Sequence, residues 1–227
     1  MLGTSITKNS ILLGLFAMLT TLLIAGTYLS TKDRIAEAQR QAEQKALLEI
    51  VPKSRHNNSM LDETVTVGPE DILLQLSATK KIYIARQDNN PVAAILPAVA
   101  AEGYSGAIEV IVGINIDGTI AGVRTLSHKE TPGLGDKVDI KKSDWILGFN
   151  GKSLGNPKPD LWRVKKDKGV FDQFTGATIT PRAVTKAVYA SLLYFDQNRQ
   201  EIFSSSKKQH AIKDNIDSKP KEENNRG

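Results

Sequence analysis

The sequence predicts an α+β protein in which an N-terminal transmembrane helix precedes one domain with a central antiparallel sheet and flanking helices. Three observations lead to this prediction. An uncharged apolar run lies near the N-terminus, β-branched segments separated by turn signals occupy the middle, and apolar residues recur at helical spacing before and after them. Periods of two residues and of 3.6 residues are typical of strands and helices, and their order favours a sheet with helices packed outside it.

The apolar run over residues 11–29 predicts the transmembrane helix, after a short N-terminal segment of residues 1–10. A helix of that length spans the roughly 30 Å of hydrocarbon in a bilayer. A cleaved signal peptide is the alternative, but the run is long for the apolar part of one, and no clean small-residue cleavage site follows it. Lysine and arginine occur on both sides of the run, so charge alone does not fix its orientation.

A juxtamembrane helix is predicted over residues 30–52, because apolar residues recur there at helical spacing until Pro52 ends the pattern. One globular domain is predicted over residues 53–204. Its first part, up to Gly68, is polar and is expected to form a loop.

Four strands are predicted in the centre of this domain. The turn signal Asp-Asn-Asn-Pro at 88–91 separates the first two strands, and Asp117-Gly118 marks a hairpin between the last two. The strands are rich in β-branched residues and cover residues 81–86, 92–96, 107–116 and 119–126. Short hairpin connections of this kind predict antiparallel pairing.

The last part of the domain is predicted to be a helix. Thr180 and Pro181 have the residue types of an N-cap and a first helical position, and Val184, Val188 and Leu192 then form an apolar stripe. Residues 205–227 are charged, contain proline and include few large apolar residues, so we expect a disordered tail.

Composition excludes several classes of chemistry. The chain has no cysteine, which excludes disulfides, cysteine-ligated iron–sulfur clusters and thiolate zinc sites. Its three histidines lack metal-ligand spacing, so no metal site is predicted, and any redox chemistry requires an organic cofactor. No catalytic residue is predicted in this chain. The net charge is +5, but no basic stretch with interleaved aromatic residues is present, which argues against nucleic-acid binding.

The first candidate site is the segment D-Q-F-T-G-A-T at 172–178. Small residues precede Thr178 and leave its hydroxyl accessible to a bulky group. The helix predicted just after it offers free N–H groups and a positive dipole end to an anion, and Arg182 adds a cation. A phosphate esterified at Thr178 would be well placed, although an ordinary loop before a capped helix has the same residue types.

Two further segments could contact a ligand. The loop H-K-E-T-P-G-L-G-D-K at 128–137 contains proline and glycines that let main-chain amides approach a flat ring or a phosphate, and a simple turn is the alternative. The segment W-R-V-K-K-D at 162–167 offers Lys165 and Lys166 to a phosphate or a ring carbonyl. Core packing of Trp162 and a solvated lysine face would explain the same residues.

Together these segments resemble the FMN-binding domain family. The element D-x-x-[ST]-G-A-T at 172–178 is similar to the covalent flavinylation motif of the G subunit of the Rnf ion-translocating oxidoreductase complex and of the C subunit of the sodium-translocating NADH:quinone reductase. The segments 128–136 and 103–109 resemble the same proteins. Around S-D-W-I and over 165–182 the resemblance is closer to the Rnf protein, and it covers the chain from the anchor to the last helix.

The resemblance implies a membrane-anchored electron-transfer subunit that carries covalent FMN. Thr178 would hold the FMN phosphate as a phosphoester, attached by a flavin transferase that uses FAD and a divalent metal and reads Asp172. The remaining residues implied at the site share the motif or are expected to contact the flavin ring: Thr175, Gly176 and Ala177 in the motif, and Glu130, Thr131, Pro132, Gly133, Leu134 and Lys166 at the ring.

The resemblance also implies partners and a location. The protein would assemble with the other membrane subunits of the Rnf complex, which moves electrons between a ferredoxin-type carrier and NAD and couples this to ion translocation. Its FMN domain would face the periplasm, on a single-pass anchor in the bacterial inner membrane. The alternative from a different class is an anchored extracytoplasmic binding or assembly module with no redox role, built on the same fold and loops.

Overall fold

The structure, a computed structural model, describes residues 2–217, without the side chains of residues 2–5, 36, 39, 42 and 205–217. It divides into two compact units, with the boundary between Lys45 and Ala46.

The N-terminal unit is helical. Helix α1 covers Leu2–Ile50 without a break, and its segment Ile6–Ile35 is long and apolar enough to cross a membrane. The predicted transmembrane helix lies within this segment. The predicted juxtamembrane helix is not separate but continues α1, because no proline occurs before Pro52. Threonine hydroxyls inside the apolar segment donate to carbonyls one turn back, such as Thr27 to Leu23 at 2.7 Å, which satisfies these polar groups internally.

The second unit is built on a five-stranded antiparallel sheet, which confirms the predicted α+β fold. Neighbouring strands pair in chain order, so the sheet is a meander. Its strands are β1 (Thr64–Val67), β2 (Lys80–Gln87), β3 (Asn90–Ala100), β4 (Ile108–Asn115) and β5 (Ile120–Ser127). Strand β1 lies in the segment predicted to be a loop, where a four-residue T-V-T-V alternation is too short to stand out from polar neighbours.

Strand β3 is longer than predicted because Pro97 does not end it. Pairing of β3 with β2 stops at Ile95, whereas pairing with β4 continues to Ala100. Pro97 therefore lies where β3 has a neighbour on one side only, the position at which a strand tolerates a residue without an N–H donor.

Two tight turns fix the register of the hairpins. Asp88 and Asn89, the two central residues of the first turn, have φ angles of 50° and 65°. A type I′ turn requires positive φ at both of these positions, and its twist matches that of the flanking strands. At the next predicted turn, the Asp117 carboxylate accepts hydrogen bonds from the hydroxyl and the backbone N–H of Thr119, and these bonds lower the pKa of Asp117.

Both faces of the sheet are covered. On one face lie the apolar residues of helix α2 (Ile179–Asp217), including the predicted stripe Val184, Val188 and Leu192. On the other face Leu47, Ile50 and Val51 pack against sheet residues of β2, β3 and β4. Ile50 lies so close to Gly113 that a Cβ atom there would be 2.2 Å from its Cγ2. The domain core thus begins before residue 53, the predicted boundary.

Helix α2 extends beyond its predicted end. It continues to Asp217, although the sequence predicts a disordered tail from residue 205. Low apolar content is a signal about burial, not about backbone conformation, and no proline or glycine interrupts the chain between Arg182 and Asp217. Residues 218–227, the rest of the predicted tail, lie outside the described residues.

Candidate functional site

A buried carboxylate, that of Glu130, lies where three segments of the domain meet. Glu130 is 4% exposed. One of its oxygens accepts a hydrogen bond from the backbone N–H of Ser105 at 2.9 Å, and the other accepts a short bond from the hydroxyl of Thr180. The segment around 103–106, the loop 128–136 and the start of α2 therefore meet at one side chain.

Two glycines make room for this carboxylate. A Cβ atom on Gly135 would lie 2.5 Å from Oε2 of Glu130 and 2.9 Å from Oγ1 of Thr180. A Cβ atom on Gly103 would lie 3.0 Å from Oε1 of Glu130 and 2.2 Å from the carbonyl oxygen of Gly106. The glycines permit a close approach that no other residue type allows without displacing Glu130 or the backbone.

We expect Gly135→Ala to lower the free energy of unfolding by about 1–3 kcal/mol, the usual cost of inserting a methyl group into a filled space. Urea unfolding of the detergent-solubilised full chain, followed by tryptophan emission, measures this. The matched control is Gly155→Ala, because a Cβ atom there would meet nothing within 4 Å. Equal stability of the two variants would contradict the packing described at Glu130.

The T-P-G-L loop lies beside the D-Q-F-T-G-A-T segment. The carbonyl of Thr131 accepts N–H bonds from Leu134 and Gly135, both at 3.1 Å, and Gly133 has a φ of +78°. Leu134 remains 42% exposed, and its Cδ2 lies 3.6 Å from the position of a Cβ on Gly176. Two motifs that lie far apart in the sequence thus share one surface.

A tight turn presents Thr178. The N–H of Ala177 bonds to the carbonyl of Phe174 at 3.1 Å, and the turn requires the φ of +79° at Gly176. Thr175 and Gly176 are exposed at its tip, and Ala177 and Thr178 are partly exposed after it.

Thr178 immediately precedes helix α2. Its carbonyl accepts the N–H of Arg182 at 3.3 Å, the first helical bond. Within residues 2–217, its hydroxyl forms no hydrogen bond with another residue. The predicted cap is therefore wrong: α2 begins at Ile179, and Thr180 is a fully buried residue of the first turn whose hydroxyl is bonded to Glu130.

Two basic side chains near the start of α2, those of Arg182 and Lys165, form ion pairs with carboxylates. Arg182, predicted to face a phosphate, instead forms two bonds to Asp167, at 2.6 and 2.9 Å, and this pairing lowers the pKa of the Asp167 carboxyl. Asp172 is 68% exposed and pairs with Lys165 at 2.6 Å. The side chain of Lys166 is exposed, while its backbone N–H donates to Gln173.

An aromatic cluster supports the segment that leads to Thr178. The indole N–H of Trp145 donates to the carbonyl of Asp172 at 2.8 Å, and its ring meets that of Phe174 edge-on with centroids 5.1 Å apart. Behind it, Phe149, Trp162 and Phe171 pack together in the core. Trp162 is thus a core residue, and Trp145 fixes the backbone at the start of the motif.

Two exposed residues at this surface were not predicted from the sequence. Tyr104 is 68% exposed and precedes Ser105, the residue bonded to Glu130. Ile179 is 43% exposed and directly follows Thr178. With Leu134 they provide apolar surface in each of the three segments that meet at Glu130. The G-Y-S-G segment was a signal for Tyr104, but no residue pattern distinguishes Ile179 from a buried helical position.

Comparisons with known proteins match both the N-terminal helix and the domain that contains the site. A family model described as the FMN-binding domain matches residues 103–192, and one described as the RnfG N-terminal region matches residues 1–50. The G subunit of the ion-translocating oxidoreductase complex of Pseudomonas aeruginosa is 50% identical over 88% of this chain and 93% of its own length. The protein of the same name from Pseudoalteromonas atlantica is 49% identical over 88% of this chain and 93% of its own length.

Among solved structures, the crystal structure of Shewanella oneidensis NqrC covers 66% of this chain and 75% of its own, with a TM-score of 0.44 and 23% identity. The identity and the coverage of the Pseudomonas and Pseudoalteromonas relatives, together with the two family models, decide the family. The chain belongs to the G subunits of ion-translocating oxidoreductase complexes, and its FMN-binding domain contains the three segments that Glu130 joins.

Proposed function

We propose that Thr178 carries FMN through a phosphoester bond, and that the chain is the covalent-flavin electron carrier of its complex. One observation carries this proposal. Thr178 is a partly exposed residue immediately before helix α2, and its hydroxyl has no hydrogen bond to any of residues 2–217. It follows the turn at Gly176, which lies beside Leu134.

The phosphate of FMN fits the start of α2. The backbone N–H groups of Ile179 and Thr180 lie in the first turn, where a helix has no internal acceptor for them. They and the positive end of the helix dipole favour an anion at Thr178. We assign Lys166 to the phosphate, because its side chain is exposed, whereas Arg182 and Lys165 already pair with carboxylates.

The flavin ring fits the exposed apolar side chains near Thr178. Leu134, Tyr104 and Ile179 are each more than two-fifths exposed, and burying them under a flat ring removes apolar surface from water. The loop residues Thr131, Pro132 and Gly133 are exposed beside Leu134 and can contact the ring edge. Glu130 lies beneath this surface and holds its segments together.

FMN supplies the electron transfer, and the protein supplies its placement. A covalent tether prevents loss of the cofactor from a domain on the periplasmic side, where we place it. Because the chain has no cysteine to hold a cluster, electrons must reach and leave this domain through neighbouring subunits of the complex. We further propose that those subunits link a ferredoxin-type carrier to NAD.

Attachment requires a flavin transferase, which we propose recognises Asp172. The exposure of Asp172 and its neighbours leaves this side of the motif open to another protein. Lys165 pairs with Asp172 at the surface, where an ion pair is weak and a partner can replace it.

The test is intact-mass analysis of the full chain, expressed with and without a flavin transferase. We expect an added mass of FMN less one water only with the transferase, and a fluorescent band on a denaturing gel. Peptide mapping is expected to place this mass on the peptide that contains Thr178. A chain that gains no flavin beside an active transferase would contradict the proposal and favour a binding or assembly module without a redox role.

A further inference from the structure

The site contains three threonines within six residues, and they differ in their exposure to solvent. Thr175 is exposed at the tip of a turn, Thr178 is partly exposed before the helix, and Thr180 is 0% exposed. All three carry the same hydroxyl group. The selection of one acceptor must therefore come from what surrounds them.

We propose that Glu130 is the positioning residue that selects Thr178 as the flavin acceptor, by holding Thr180 and setting the first residue of α2. This inference rests on the proposed function. Glu130 is held in place itself, because its second oxygen accepts the Ser105 N–H and its side chain is buried.

The position of the helix start supports this role. Thr180 followed by Pro181 has the residue types of an N-cap and a first helical residue, yet α2 begins at Ile179. A capping threonine uses its hydroxyl oxygen to accept an N–H bond from the first turn. Here the hydroxyl of Thr180 donates to Glu130 across fifty residues of chain, so Thr180 lies inside the helix and Thr178 becomes the residue before it.

The transfer reaction requires a threonine hydroxyl that can reach the phosphorus. A bond forms between Oγ of the threonine and the FMN phosphorus of FAD, the pyrophosphate bond breaks, and AMP leaves. The hydroxyl proton passes to a base of the transferase, and no electron is transferred. Thr180 cannot take this role while its hydroxyl is buried and bonded to Glu130, whereas the hydroxyl of Thr178 has no hydrogen bond to any described residue and can react.

The test compares four variants of the full chain, each expressed with the flavin transferase: Glu130→Gln, Glu130→Ala, Thr180→Ser and Thr180→Val. The rate of flavin attachment is followed by intact mass, and the attachment site is read by peptide mapping. Tryptophan emission and resistance to protease in each purified variant report folding.

We expect Glu130→Gln and Thr180→Ser to keep flavin on Thr178 at close to the wild-type rate, because both retain a hydrogen bond between residues 130 and 180. Glu130→Ala and Thr180→Val lose it. Their rates should fall about ten- to a hundredfold, the factor that corresponds to one lost hydrogen bond to a charged group. In Glu130→Ala, part of the flavin is expected on Thr180.

Folded Glu130→Ala or Thr180→Val protein with wild-type attachment rate and flavin on Thr178 alone would overturn the inference. If Glu130→Ala does not fold, the comparison of Thr180→Val with Thr180→Ser decides, because these two differ in the hydroxyl and keep Glu130. Wild-type chain without flavin would instead refute the proposed function, so the two failures are distinguishable.

Discussion

Thr178→Ala is expected to remove covalently bound flavin completely. The variant lacks Oγ1 of Thr178, the oxygen proposed to form the phosphoester. The buried hydroxyl of Thr180 remains bonded to Glu130. Fluorescence of the denatured chain should fall to background, and the added mass of FMN less water should disappear. Ile179 and the first turn of α2 should keep their structure, because the Thr178 hydroxyl has no hydrogen bond with the described residues.

Three controls separate the acceptor from the surrounding motif. Thr178→Ser retains a hydroxyl at the same position and should restore attachment. Thr175→Ala changes the exposed turn and should slow attachment without moving it from Thr178. Thr66→Ala deletes the same hydroxyl from an exposed position on β1 and should have no effect. Flavin that survives denaturation in Thr178→Ala would show that another residue is the acceptor.

Local patterns predicted the fold well. The uncharged run indicated the membrane helix, and the turn signals at 88–91 and 117–118 indicated two of the hairpins of the sheet. Both depend on neighbouring residues alone, because periodicity and turn chemistry are set within a few positions. Strand β1 and the extension of β3 past Pro97 were missed because pairing partners, not local residues, decide them.

The start of α2 shows where local reasoning fails. Thr180-Pro181 is a good capping pair by residue type, but a contact with Glu130, distant in the sequence, overrides it. The same contact joins the loop 128–136 to the helix that follows the motif at 172–178, and neither segment alone indicates that they meet. The resemblance implies that Thr178 is the flavin acceptor, which stays a prediction, whereas the position of Thr178 before the helix depends on the tertiary contact. The ring contacts at Thr131, Pro132, Gly133, Leu134 and Lys166 stay predictions.

A buried ion pair connects the sheet to the C-terminal part of α2. Arg86 on β2 bonds to Glu63 through its Nε, and the two side chains are 8% and 6% exposed. Asn58 donates to Glu63 and accepts the backbone N–H of Arg86, both at 2.8 Å. The guanidinium of Arg86 also donates to the carbonyl of Phe203 on α2 at 3.2 Å.

We expect Arg86→Met to lower the free energy of unfolding by about 3–5 kcal/mol, because it leaves the charge of Glu63 buried without its partner. Urea unfolding of the detergent-solubilised full chain measures this. The double variant Arg86→Met with Glu63→Leu should be less destabilised than the single variant, since two apolar side chains strand no charge. Lys186→Met is the matched control, because Lys186 and Glu102 form an exposed pair, which contributes about 0–1 kcal/mol.

The double variant distinguishes two explanations of such a loss. If packing around the long Arg86 side chain were the main contribution, a second substitution at Glu63 would add further destabilisation. If the stranded carboxylate dominates, removing it restores part of the stability. We expect the second outcome, because among the described contacts the Glu63 carboxylate keeps only the hydrogen bond from the Asn58 amide once the guanidinium is gone. A double variant less stable than Arg86→Met would contradict this explanation of the pair.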